Sequence, residues 1–174
     1  QCSPYHLNSP LHPFIQHLEI TAGFARDDTP QARLAKLDAA LGDEVAGEEH
    51  ARALFASLLS LPTDRFAPVP YSPRKLKEKT LEALSRRITA LSSRLPVLMV
   101  VEDAHWIDEA SAELLTVIAA RSTTRPWVVC LSRRPGPSPF TDLDPPAPLV
   151  QLGPLDASAA SELVRLAGAG DEVI

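Results

Sequence analysis

The chain has 174 residues, of which 45% are hydrophobic and 22% charged, so it is long enough to form one well-packed domain. Its net charge of −5 argues against a nucleic-acid surface, which needs clustered cations. The longest apolar run, Pro96 to Val101, is far shorter than the roughly 20 residues of a membrane-spanning helix, and the N-terminus has no signal-peptide pattern. We therefore expect a cytoplasmic protein that contacts neither nucleic acid nor membrane, with Cys2 and Cys130 reduced.

The first half of the chain is predicted to form short amphipathic helices separated by proline-rich turns. Apolar residues recur at helical spacing within residues 11–18, 34–41 and 54–59. Ser72 followed by Pro73 is typical of a helix start, and apolar residues up to Leu95 predict one face of a long helix that Pro96 ends. Residues 11–95 are therefore predicted to be mainly helical.

After Pro96 the pattern changes to strands that alternate with helices. Strands are predicted for residues 97–101, 127–131 and 149–152. Helices are predicted for residues 109–121 and from Asp156 onward, with a proline-rich loop over residues 135–148. Because such alternation favours parallel pairing, the predicted fold class is α/β, with helices covering a buried parallel sheet.

Two adjacent acids, Glu102 and Asp103, directly follow the first of these strands. Ligands of open parallel sheets bind beyond the carboxyl ends of the strands. At such a place one carboxylate can orient Mg²⁺ through its water shell, and the other can polarise a water molecule for attack on phosphorus. The alternative is that the pair caps the following helix, although Asp108 stands directly before that helix and suits capping better. The pattern alone leaves both interpretations open.

The stretch "LMVVEDAHWIDEASAELL" resembles the Walker B region of signalling P-loop ATPases of the STAND and AAA-like type. The similarity is greatest to bacterial predicted ATPases fused to adenylate or guanylate cyclase domains, protein kinases or LuxR-type regulators. Their segment after the second strand resembles "CSPYHLNSPLHPFIQHLEITAGFARDDTP", their long helix before Walker B resembles "SPRKLKEKTLEAL", and their sensor strand resembles "VVCLSRRPG". The resemblance implies a partial P-loop NTPase domain of the ASCE type over residues 1–174. Its helical segment, 11–95, would precede the Walker B and sensor strands of 96–174.

The resemblance also implies the ligands and the roles of the acid pair. Mg²⁺ and ATP would bind the complete protein, with Glu102 organising the magnesium and Asp103 positioning the attacking water. Many P-loop enzymes have Asp-Glu or Asp-Asp at this place, so the division of roles within the Glu-Asp pair stays open.

Three further residues match positions of the family that contact nucleotide. Ser132 matches the sensor threonine, and Arg134 matches the sensor arginine that would contact the terminal phosphate, although the neighbouring Arg133 leaves the choice of arginine open. His105 matches a family histidine that could contact phosphate or an adjoining domain, with a purely structural histidine as the alternative. We expect its neighbour, Trp106, to pack in the core.

The sequence contains no phosphate-binding loop. None of its seven glycines is followed by lysine, so the pattern G-x-x-x-x-G-K-[ST] does not occur. In the resemblance, the opening "QCSPYH" matches the end of the second strand. We therefore expect an internal fragment of a larger ATPase, the alternative being a complete chain that has lost catalysis.

Two functions follow from these observations. The first is a regulatory ATPase module that switches an attached output domain, which could be a cyclase, a kinase or a DNA-binding domain. The second is a non-catalytic protein-interaction module that docks through residues 11–95. The family's strand order, 5-1-4-3-2, places a strand between the predicted strands 127–131 and 149–152, which would leave both with unpaired edges. We expect the fragment to self-associate through these edges, the alternative being that the terminal strand closes the gap by pairing directly with its new neighbour.

Overall fold

The computed structural model describes residues 1–7, 9–42, 50–93, 95–122, 124–140 and 146–167. Within these residues, four helices precede a region in which strands and helices alternate. The helices and strands are α1 (His12–Thr21), α2 (Pro30–Leu41), α3 (Ala51–Leu58), α4 (Pro73–Ser92), β1 (Val97–Val101), α5 (Glu109–Ala120), β2 (Trp127–Leu131) and α6 (Ala157–Leu166). The predicted order, a helical segment followed by an α/β region, is therefore observed.

The two strands form a parallel pair. Val97 lies opposite Trp127 and Val101 lies opposite Leu131. Both strands have the predicted bounds, and α5 connects them as the crossover that parallel strands need. The α/β prediction holds in this coarse form of two parallel strands with flanking helices.

The predicted strand over residues 149–152 is wrong. These residues form no strand, and Leu149, Val150 and Leu152 are exposed. A strand requires a neighbour that satisfies its N–H and C=O groups, and the structure shows β2 paired with β1 alone among the described residues. Without such a neighbour, the backbone of these residues has no partner for strand hydrogen bonds.

The long helix α4 begins as predicted but ends earlier. The Ser72 hydroxyl accepts a hydrogen bond from the Lys75 N–H, which makes Ser72 the N-cap. The helix ends at Ser92, and Leu95 is exposed beyond it. Just after the last helical residue, the Ser93 hydroxyl donates to Ala90 O. Among the described helices, none is both long and apolar enough to cross a membrane.

The sheet has one packed face and one bare face. On the packed face, Val101 and Trp127 are buried together with the helical core, whose largest fully buried side chains are Phe55, Leu37, Leu41, Leu114, Leu115 and Ile118. On the opposite face, Leu98, Val100 and Val128 are 68%, 55% and 61% exposed. Parallel sheets are ordinarily covered on both faces. The exposed face is therefore an apolar surface of the kind that binds other protein segments.

Asp108 fixes the start of α5 and ties it to the N-terminal region. Its buried carboxylate accepts hydrogen bonds from Ser111 N at 2.9 Å and Ser111 Oγ at 2.6 Å. It also accepts one from Leu11 N at 3.0 Å, and Leu11 itself has a left-handed backbone with φ of 61°. Asp108 therefore caps α5 and holds the residue that starts α1.

We predict that Asp108→Asn lowers the free energy of unfolding by about 1–3 kcal/mol. The amide oxygen can still accept from the two backbone N–H groups, and the amide N–H can donate to Ser111 Oγ, but these bonds lose the charge of the carboxylate. The second N–H of the buried amide is left without an acceptor. Urea unfolding followed by circular dichroism measures the change.

The matched control is Glu109→Gln, which makes the same chemical change at the neighbouring, exposed acid. We expect it to change the free energy of unfolding by no more than about 0.5 kcal/mol. Equal stability of the two variants would show that the bonds of Asp108 contribute nothing to the fold.

Candidate functional site

The acid pair lies in a tight turn at the carboxyl end of β1. Asp103 has φ of 55° and ψ of 38°, which is the left-handed region. This conformation costs residues with a side chain roughly 1–2 kcal/mol relative to the right-handed one, although aspartate is one of the few that adopt it. Such a residue persists only where its surroundings hold it, and residues of this kind cluster at functional sites.

Ser132, the residue after β2, holds one side of the turn. Its N–H donates to Val101 O at 3.0 Å, and its carbonyl accepts from Ala104 N at 2.8 Å. Its hydroxyl oxygen accepts from the Asp103 N–H at 3.3 Å. The predicted sensor residue and the predicted catalytic acid are therefore joined directly, although 29 positions separate them in the sequence.

The N-terminal residues contact the same turn. Cys2 N donates to Glu102 O at 2.9 Å, and the Gln1 carboxamide donates to Asp103 Oδ2, also at 2.9 Å. Sequence reasoning did not assign these two residues to the site. A signal was present, because the resemblance matched "QC" to the end of a strand adjacent to Walker B in the family's strand order.

The carboxylates of the pair do not cap α5. Asp108 fills that position, and the side chain of Asp103 makes no capping bond to the 3-10 turn that follows it, Ala104–Trp106. Glu102 is exposed, and no hydrogen bond or ion pair to its carboxylate is found among the described residues. The capping alternative is therefore wrong, and the Glu102 carboxylate is available to a ligand.

The two arginines after β2 differ in how they are engaged. Arg133 Nη1 donates to the carbonyls of Arg134 and Gly136, at 3.3 and 3.0 Å, so its guanidinium folds back on its own loop. The guanidinium of Arg134 is exposed and has no partner within the described part of the chain. This difference favours Arg134 over Arg133 as the arginine that can reach an anion. The structure does not bring Arg134 into contact with Ser132 or with the acids.

His105 and Trp106 follow the acid turn and lie side by side. Their ring centroids are 5.0 Å apart, and Trp106 packs against the core as predicted. Both ring nitrogens of His105 are buried, and neither has a hydrogen-bond partner among the described residues. A neutral imidazole carries one donor and one acceptor, so His105 lacks the satisfied bonds of an ordinary structural histidine.

Carboxylate oxygens are the kind of ligand that Mg²⁺ prefers, and the turn carries two carboxylates, those of Glu102 and Asp103. No group of three or more His, Cys, Asp or Glu residues suited to hold a metal is present among the described residues. Mg²⁺ is commonly bound through one or two carboxylates, with waters and substrate phosphates completing its octahedron. Glu102 and Asp103 supply that many carboxylates, at the sheet edge where such ligands bind.

The acid turn lies within the part of the chain that matches a known family. The model of the family described as AAA ATPase domain matches residues 1–130, which are 130 of the 174 residues. The chain therefore belongs to the AAA ATPase domain family.

The chain is also similar to an uncharacterized protein from Rhizobium meliloti (strain 1021). The two are 32% identical over 160 residues, which cover 90% of this chain and 15% of that protein. The chain thus spans about 15% of the length of this curated relative. No solved structure matches the chain.

We predict that Cys2 reacts with iodoacetamide at least about 10-fold more slowly than Cys130 at pH 8. Burial raises the pKa of the Cys2 thiol, so less of it is thiolate at this pH, whereas the free thiol of Cys130 is exposed. Peptide mass spectrometry over a labelling time course measures both rates. In urea the two rates should converge, and equal rates in the folded protein would show that the N-terminal residues do not cover the turn as described.

Proposed function

We propose that the chain forms the Walker B and sensor part of a regulatory ATPase of the STAND type. ATP binding and hydrolysis by this module would switch an attached output domain, such as a cyclase, a kinase or a DNA-binding domain. The observation that carries the proposal is the turn of Glu102 and Asp103 that follows β1. Within this turn, Asp103 has a left-handed backbone conformation, and its N–H donates to the Ser132 hydroxyl. Membership of the AAA ATPase domain family supports it.

The proposed domain is a partial P-loop NTPase sheet of the ASCE type over residues 1–174. The adjacency of β1 and β2 agrees with strands three and four of the order 5-1-4-3-2. The bond from Cys2 N to Glu102 O agrees with a second strand that ends beside β1. Residues 11–95 would be the helical segment, and residues 96–174 would contain the Walker B and sensor elements.

Each residue of the site has a proposed role. Asp103 orients the attacking water and accepts its proton, while Glu102 binds the metal through its water shell. Bound Mg²⁺ would supply neutralisation of the phosphate charge. Arg134 would face the terminal phosphate, and Ser132 lies beside Asp103 at the same edge of the sheet. His105 would complete its hydrogen bonds with phosphate or an adjoining domain.

A non-catalytic interaction module remains the second candidate. The observations that favour it are the exposed apolar face of the sheet and the absence of G-x-x-x-x-G-K-[ST] from this sequence. The same apolar face supports the proposal that the chain self-associates, since exposed apolar patches commonly mark protein–protein contacts. Under this second function, the acid pair would have no effect on turnover.

We predict that this chain alone binds MgATP with a Kd weaker than about 1 mM. Without the glycines and lysine of a phosphate-binding loop, the backbone N–H groups that hold phosphates are missing. Isothermal titration calorimetry measures the affinity, with the complete protein as the positive control. Micromolar binding by the chain alone would place its phosphate site elsewhere.

In the complete protein, Asp103→Asn should lower ATP hydrolysis by roughly 10²- to 10⁴-fold and leave nucleotide affinity nearly unchanged, because a general base is lost without loss of a binding contact. Glu102→Gln should instead raise the magnesium concentration needed for half-maximal activity. Phosphate release and nucleotide titration measure the two effects separately.

The matched control for this pair is Asp64→Asn, at an exposed aspartate in the loop between α3 and α4. It should leave both quantities at their original values. If Asp103→Asn and Glu102→Gln behaved like this control, the acids would have no catalytic role and the interaction module would be the better description.

A further inference from the structure

We propose that Ser132 is a positioning residue whose hydroxyl holds Asp103 in its left-handed conformation. This inference rests on the proposed function, because it concerns how the proposed catalytic acid is oriented. It differs from the role that the resemblance implies for Ser132, which is direct contact with the nucleotide. The juxtaposition that carries it is the hydrogen bond from the Asp103 N–H to Ser132 Oγ, at 3.3 Å.

The three bonds of Ser132 to the acid turn are not equivalent. Those through its N–H and its carbonyl, to Val101 O and from Ala104 N, could be made by almost any residue at this position. The bond to the Asp103 N–H needs a side-chain acceptor of this length, and serine or threonine supplies it. The hydroxyl is therefore the sequence-specific part of the contact.

Asp103 needs this bond because nothing in its own side chain stabilises its backbone. An aspartate in the left-handed region is often held by bonding its carboxylate to nearby backbone N–H groups. Here the side chain makes no such capping bond, and Oδ2 accepts from the Gln1 carboxamide instead. The conformation is thus held by its neighbours, and Ser132 is the one whose side chain bonds the Asp103 N–H itself.

The consequence concerns the rate of hydrolysis and not the affinity for nucleotide. If Asp103 leaves the left-handed region, its carboxylate points in another direction, and only the fraction of molecules with the correct turn can orient water. A net hydrogen bond of ordinary strength corresponds to a factor of roughly 2 to 12 in such a population. Loss of the hydroxyl should therefore lower kcat by about that factor and leave KM for MgATP unchanged.

The first test uses this chain alone and does not involve ATP. In Ser132→Ala, amide hydrogen exchange at Asp103, measured by NMR, should accelerate roughly 2- to 12-fold, while Ser132→Thr keeps the original rate. The control is Ser161→Ala, which removes an exposed hydroxyl bonded to Ala157 O within α6. An unchanged Asp103 exchange rate in a folded Ser132→Ala chain would overturn the proposal.

The second test uses the complete protein and separates kcat from KM. Ser132→Ala should lower kcat roughly 2- to 12-fold at constant KM, and Ser132→Thr should restore it. A raised KM with unchanged kcat would overturn the proposal in favour of direct contact with nucleotide. If the complete protein hydrolysed no ATP while the Asp103 amide still responded to Ser132→Ala, the positioning role would be supported and the proposed function would fail.

Discussion

The parallel pairing of β1 with β2 determines where the candidate groups of the site lie. Because the two strands run in the same direction, the turn after β1 and the residue after β2 reach the same edge of the sheet. Asp103 and Ser132 can therefore form a hydrogen bond across 29 positions of sequence. The pairing in turn depends on α5, whose buried Leu114 and Leu115 anchor the crossover between the strands. A shift of register by one residue would separate the acid from the serine.

The sequence was informative wherever a local signal determined the structure. The apolar runs of β1 and β2 are bounded by proline, acids or polar residues, so their limits were predicted correctly. Asp108 and Ser72 stand before helices and cap them, since the capping bond links residues only three positions apart. The position of the acid pair followed from the end of β1, whereas only the structure showed that Asp108 caps α5 and that the pair does not.

Features that depend on contacts between residues distant in the sequence could not be predicted from local sequence signals. Residues 149–152 have the composition of a strand, yet composition does not supply the neighbouring backbone that a strand must pair with. The left-handed turn at Asp103 lies in a sequence without glycine, and it depends on Ser132 and on Gln1, which is 102 positions away. The resemblance indicated which residues would matter, whereas the structure shows which of them contact one another.

The groups of the site divide into two kinds by how they are held. Asp103 and Ser132 are bonded to each other and to the surrounding backbone, so their geometry exists before any ligand binds. Glu102 and Arg134 lie at the surface, and their charged groups have no partner within the described ranges, so their positions can adjust to a ligand. In the proposed reaction, the fixed geometry of Asp103 lowers the activation barrier, because the water that it orients needs a defined position. Glu102 and Arg134 would bind an ion and a phosphate, and their side chains can adjust as these ligands bind.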